Sequence, residues 1–95
     1  MAVKLRIPTP LRRLTGGQAE LTIQARTIDE LLMQLQYDYE SLARQILDDQ
    51  GEIRSFVRLF VNDEDIESLQ GRATPLKDGD VVSIIPSIAG GRPLQ

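Results

Sequence analysis

Between Thr27 and Leu47 the apolar residues fall at helical spacing, and this one stretch limits the folds open to the rest of the chain. Thr27-Ile28-Asp29-Glu30 matches a capping box, in which Thr27 caps the helix start and Glu30 reaches back. Ile28, Leu31, Leu32, Leu35, Tyr39, Leu42 and Ile46 then recur at intervals of three and four. A single helix to Leu47 would be about 30 Å long, which is long for a small domain. Tyr37-Asp38-Tyr39 are weak helix formers. The spacing therefore predicts a main helix to about Gln36 and a second, short helix over residues 40–47.

Strand patterns lie on both sides of this helix, and strands need an apolar face to pack on. Val3, Leu5 and Ile7 alternate with Lys4 and Arg6 until Pro8 and Pro10 end the pattern. Leu21 and Ile23 alternate with Glu20, Thr22 and Gln24. The link over residues 8–15 reads as a wide loop, with Thr15-Gly16-Gly17-Gln18 as a turn. No Lys-Ser/Thr follows those glycines, so a phosphate-binding loop is disfavoured. After the helix, residues 56–61 form the strongest strand. Its parity turns Val57, Leu59 and Val61 inward and Phe56, Arg58 and Phe60 outward. Asn62-Asp63-Glu64-Asp65 reads as a polar turn, with a short return strand from Ile66-Glu67. Leu69 and Leu76 pin an irregular crossover over residues 68–77 to the core. The last strand covers residues 80–85, with Val82 and Ile84 inward and Val81, Ser83 and Ile85 outward.

Two strands, a helix and then further strands predict an α+β domain over residues 1–86. A mixed sheet of four to five strands wraps one main helix. The β-grasp (ubiquitin-like) architecture fits this order.

Composition narrows the chemistry. The chain has no Cys and no His, which excludes thiolate nucleophiles, disulfides and His or Cys zinc sites. Its net charge is −3 and its basic residues are scattered, which argues against nucleic-acid binding. Hydrophobic residues make up 41%, but the alternating start is neither a signal peptide nor a membrane span. The expectation is a cytoplasmic protein with no membrane contact. The carboxylates gather in turns (Asp48, Asp49; Asp63, Glu64, Asp65; Asp78, Asp80), where solvation explains them. No catalytic residue, no metal site and no bound cofactor are expected, and the chain is not expected to be an enzyme.

The end of the chain is different. Pro86 ends strand pairing, and Ser87-Ile88-Ala89-Gly90-Gly91 offers little to pack. Paired glycines let a partner's walls close on the main chain, since no Cβ intervenes. Residues 87–91 thus read as a flexible tail, and residues 92–95 as an extension behind it.

The chain resembles the ThiS/MoaD family of ubiquitin-like sulfur carriers. Within that family it is most similar to the CysO-type carriers of cysteine biosynthesis. The resemblance rests on Arg6-Ile7-Pro8-Thr9 with Thr15-Gly16-Gly17. It continues through Phe56-Val57 and Val61-Asn62-Asp63-Glu64-Asp65-Ile66, then Asp78-Gly79-Asp80, and ends at Ala89-Gly90-Gly91. It implies that an E1-like adenylyltransferase uses ATP to activate the Gly91 carboxylate. A sulfur donor then converts it to a thiocarboxylate. A PLP-dependent cysteine synthase, or another sulfur-accepting enzyme, takes up the sulfur, and a metallopeptidase releases the product. Ala89 and Gly90 would thread the activating channel. Arg58, Phe60 and Ile85 could form part of the partner surface, with Phe60 either exposed there or covered by a loop.

Arg92-Pro93-Leu94-Gln95 departs from the family pattern. With Arg92 present, the Gly91 carbonyl is an amide and offers no carboxylate to ATP. A processing peptidase would have to cut between Gly91 and Arg92. Pro93 keeps Arg92 out of a helix and the junction extended. The competing readings are a β-grasp interaction domain that is never activated, and a small MoaD-like subunit of molybdopterin synthase. A modifier joined to proteins through isopeptide bonds also remains open.

Overall fold

Alternation and helical spacing become a sheet and a helical layer that bury one another. The computed structural model describes residues 2–86. Five strands form, β1 (Ala2–Arg6), β2 (Glu20–Gln24), β3 (Val57–Val61), β4 (Glu64–Asp65) and β5 (Val81–Pro86). Two helices, α1 (Ile28–Asp38) and α2 (Glu40–Ile46), follow β2. The sheet order is β2-β1-β5-β3-β4. β1 runs antiparallel to β2 and parallel to β5, while β3 runs antiparallel to both β5 and β4. The expected mixed sheet is therefore present, with the first and last strands side by side at its centre.

The inward residues of all the longer strands meet the helices. Val3, Leu5, Leu21, Ile23, Val57, Leu59, Val61, Val82 and Ile84 are buried in one cluster with Ile28, Leu31, Leu32, Leu35, Leu42 and Ile46. The strand parities read from the sequence hold on β1, β2, β3 and β5.

Helix α1 begins as its sequence predicts. The Glu30 amide donates to Thr27 Oγ1 at 3.1 Å. The Glu30 side chain reaches one residue further back than a standard capping box: its Oε1 accepts from the Arg26 amide at 2.9 Å. Thr27→Ala should therefore cost about 1 kcal/mol, read as a lower denaturation midpoint with an unchanged m-value. An unshifted midpoint would show that the cap contributes nothing. The helix breaks at Tyr39 (φ −140°, ψ 63°), between two of the weak helix formers and the start of α2.

Several expectations are corrected. Residues 8–15 are not a wide loop; Thr9–Thr15 is a 3-10 helix that buries Leu11 and the Thr15 side chain. Pro8 and Pro10 suit that helix start, because their missing amides would have had no partner there. The turn after β3 is only Asn62-Asp63. Both take positive φ (49° and 76°), the geometry of a two-residue hairpin. The return strand is thus Glu64–Asp65, and Ile66–Ser68 is a 3-10 turn. The last strand is Val81–Pro86, shifted by one residue from the expected 80–85. Phe56 precedes β3 and packs partly buried against the core instead of facing outward. Leu69 is exposed and does not pin the crossover. Leu76 does, helped by Ile66 and by Thr74, whose hydroxyl donates to Gly71 O at 2.7 Å and accepts from Gln70 N. Backbone bonds from Ile28 N to Thr74 O and from Leu76 N to Arg26 O hold the crossover to the start of α1.

Candidate functional site: the tail exit and the outer face of the sheet

The chain leaves the described structure at Pro86, and the fold fixes where that point lies. β5 is hydrogen-bonded on both sides, to β1 and to β3. Val82 and Ile84 are buried beneath it, at 0% and 2% exposure. Pro86 stands opposite Val57, the last described pair of the β3–β5 ladder. The start of β5 is anchored as firmly. Asn62 Nδ2 donates to Asp80 Oδ1 at 2.9 Å, and Asn62 Oδ1 accepts from the Val81 amide at 3.1 Å. Lys77 N donates to Asp80 Oδ2 at 2.8 Å. The hairpin turn thus sets the register of the strand from which the tail emerges.

Ala89, Gly90, Gly91 and the Arg92 junction lie outside the described residues. Arg58, Phe60 and Ile85 lie inside them, and the structure brings all three onto the sheet face opposite the helices. Ile85 stands directly across from Arg58, and Phe60 is two residues along the same strand, across from Ser83. Ile85 is 48% exposed. Phe60 is half-buried in mid-strand, between Ser83 on β5 and Asp65 on β4. The Arg58 guanidinium is drawn toward β4 by Asp65, with Nη1 to Oδ2 at 3.1 Å. Asp65 Oδ1 also accepts from the Glu67 amide, which holds the carboxylate in place.

Pairing extends this face beyond the three residues expected. Glu20, Arg6, Ser83, Phe60 and Asp65 form one row of register partners across all five strands. Arg6 and Lys4 lean toward Glu20 at 3.8 and 3.9 Å. These are exposed, screened pairs that orient charge more than they add stability. Parity alone placed Arg6 and Ser83 outward; their joining Phe60 in one row required the strand order. The face combines an apolar patch (Ile85, Phe60) with cations on β1 and β3. That arrangement suits docking against a partner with apolar and acidic groups. One shallow depression, about 390 Å³ and lined by Leu69, Thr74 and Pro75 among others, lies at the far end of β5 from Pro86. Among the described residues, no group of three or more His, Cys, Asp or Glu could hold a metal ion, and no helix is long and apolar enough to cross a membrane.

Comparison with known proteins places this geometry. The sulfur carrier protein CysO of Mycobacterium tuberculosis is 38% identical over 93 residues, covering 96% of this chain and 100% of that protein. Its crystal structure superposes with a TM-score of 0.81 at 35% identity, over 90% of this chain and 99% of that one. A chain of the Amycolatopsis orientalis BexX/CysO complex gives a TM-score of 0.83 at 31% identity, over 95% and 100% of the two chains. Small archaeal modifier protein 3 of Haloferax volcanii is 38% identical over 65 residues, 68% of this chain and 70% of that protein. The ThiS family profile matches residues 5–91 and so runs from β1 through the Gly90-Gly91 pair. With its β-grasp sheet, its central exit strand and this match over most of its length, the chain belongs to the ThiS family.

Proposed function

We propose that this chain is a sulfur carrier whose Gly91 carboxylate, once free, is adenylated and converted to a thiocarboxylate. The observation that carries the reading is the family match. It begins within β1, at Leu5, covers the rest of the described fold and ends on Gly91, the second residue of the glycine pair. The likeness to CysO over nearly the full chain favours sulfur delivery into cysteine biosynthesis.

The chemistry divides between partners. The Gly91 carboxylate attacks the α-phosphorus of ATP in an E1-like adenylyltransferase, and pyrophosphate leaves. A sulfur nucleophile from the donor then attacks the acyl carbon, and AMP leaves. The carrier supplies no acid, base or metal; it presents an acyl group on a narrow chain. Arg58, Phe60 and Ile85, extended by Arg6 and Ser83, form the docking face beside the exit point. A PLP-dependent synthase or another sulfur acceptor uses the same tail. The A. orientalis BexX/CysO complex is a precedent for a similar chain binding a partner protein. Residues 92–95 make the encoded chain a precursor, and a processing peptidase frees Gly91.

The test is intact mass. Incubated with a CysO-type activating enzyme, ATP and a sulfide donor, the chain ending at Gly91 should gain the mass difference between a carboxylate and a thiocarboxylate. An unchanged mass, with the same enzyme converting its own carrier, would sink the reading. The likeness to small archaeal modifier protein 3 favours a second use of the same activated glycine, attachment to protein amines. Conjugates that survive denaturing gels would reveal it.

A further inference from the structure

We infer that the open edge of β2 takes an extended segment of a partner protein as an added strand, with a lysine or arginine of that segment reaching Asp38 at the end of α1. The inference does not depend on activation of Gly91.

Register decides which backbone groups of β2 are already used. β2 stands at one margin of the sheet and pairs with β1. The Lys4 amide donates to Asp80 O, so Lys4 and Arg6 turn their backbone groups toward β5. Val3, Leu5 and Ile7 turn theirs the other way, as the bond from Ile7 N to Ala19 O shows. Val3 and Leu5 meet Ile23 and Leu21. Glu20, Thr22 and Gln24 therefore aim their N–H and C=O groups away from the sheet. All three residues are exposed, and no backbone bond from another described segment meets them. Common guards of a free edge are missing too. β2 holds no Pro and no Lys, its register runs without a bulge, and it is longer than the two-residue β4. Such an edge can bind an extended chain through its main chain.

Charge beside the edge sets the chemistry of the occupant. A groove of about 360 Å³ lies between Thr22, Ile23 and Gln24 on β2 and Gln34, Asp38 and Tyr39 of the helical layer. An added strand presents alternate side chains to such a groove. Asp38 is the last residue of α1, and that helix has no basic residue in its last turn. Among the described residues the Asp38 carboxylate has no partner. Carboxylate and helix C-terminus are both negative and unmatched, which favours a cation on the incoming segment. A second copy could not supply that cation from its own β2, because Glu20–Gln24 contains no Lys or Arg. The occupant is thus a segment of another protein. β1 separates this edge from β5, so a segment paired with β2 leaves Arg58, Phe60 and Ile85 uncovered for a second partner.

The test is a titration of the isotope-labelled full chain, followed by NMR, with acetyl-Thr-Val-Thr-Lys-Thr-Val-Thr-amide as the probe. A second peptide carries Glu in place of the Lys, and a third is N-methylated at alternate amides. With the Lys peptide, the amides of Glu20, Thr22 and Gln24 should shift and gain protection from hydrogen exchange. Those of Arg58, Phe60 and Ile85 should not move. The Lys peptide should bind about threefold more tightly than the Glu peptide, as an exposed ion pair allows. Asp38→Lys should invert that preference. Thr22→Pro removes only an amide that points away from β1, and should weaken binding about tenfold with the β1–β2 ladder kept. Should Thr22→Pro fail to fold, the inversion by Asp38→Lys and the loss of binding by the N-methylated peptide decide the matter. Unmoved amides at Glu20, Thr22 and Gln24, an unchanged preference in Asp38→Lys, or equal binding of the N-methylated peptide would each overturn the inference. Shifts at the same amides on raising the protein concentration without peptide would assign the edge to a second copy and overturn it as well.

Discussion

The chain that retains Arg92 should give ATP–pyrophosphate exchange no higher than background, while the same chain ending at Gly91 exchanges freely. The reason is bonding and not affinity. In the longer chain the Gly91 carbonyl is part of an amide, whose oxygen is a poor nucleophile and whose carbon bears no carboxylate. Both forms contain residues 2–86, with the proposed docking face of Arg58, Phe60 and Ile85, and should fold alike. The longer chain should therefore compete with the shorter one for the activating enzyme while remaining inert itself. Inhibition without exchange is the expected pattern. Equal exchange by both forms would show that residues 92–95 do not mask the glycine.

The second large effect is on stability. Leu5→Ala should destabilise the protein by about 3 kcal/mol, because it removes a fully buried side chain and leaves a cavity. Leu5 lies on β1, between Leu21 on β2 and Val82 on β5, so the loss falls where three strands meet. A domain of this size has about 5–15 kcal/mol in total. The melting temperature should fall by roughly 10–20 °C, measured by circular dichroism. Leu69→Ala, at an exposed position, should cost less than about 0.5 kcal/mol. Similar losses at both positions would mean that the core is not centred on the β1–β5 pair.

These two leucines also show what a sequence can and cannot disclose. Leu5 sits in a strict alternation, and its burial follows from parity. Leu69 sits in a crossover with no period, where only the packed structure decides which apolar side chain turns inward. The break between α1 and α2 was legible because Tyr37-Asp38-Tyr39 are weak helix formers in an otherwise favourable run. The short β4 was misplaced because two non-glycine residues, Asn62 and Asp63, accept positive φ and shorten the turn to two residues. Asparagine and aspartate permit that conformation without requiring it. Phe56 was assigned outward by extending β3 one residue too far. The strand begins at Val57, opposite Pro86, and Phe56 lies before it, partly buried against the core. On the outer face of the sheet, parity put Arg58, Phe60 and Ile85 on one side. It could not reveal the row from Glu20 to Asp65, which depends on the order in which five strands assemble.

The two-residue β4 has a further consequence, for solubility. It forms one margin of the sheet, and an open margin invites pairing with other chains. Here that margin is too short to serve as a template, and both of its residues, Glu64 and Asp65, are acidic. The opposite margin, β2, presents Glu20, Thr22 and Gln24 outward. Under the proposed carrier function, in which one end is offered to several enzymes, the protein gains from sides that do not adhere to one another, and the tight Asn62-Asp63 turn keeps one of those sides short.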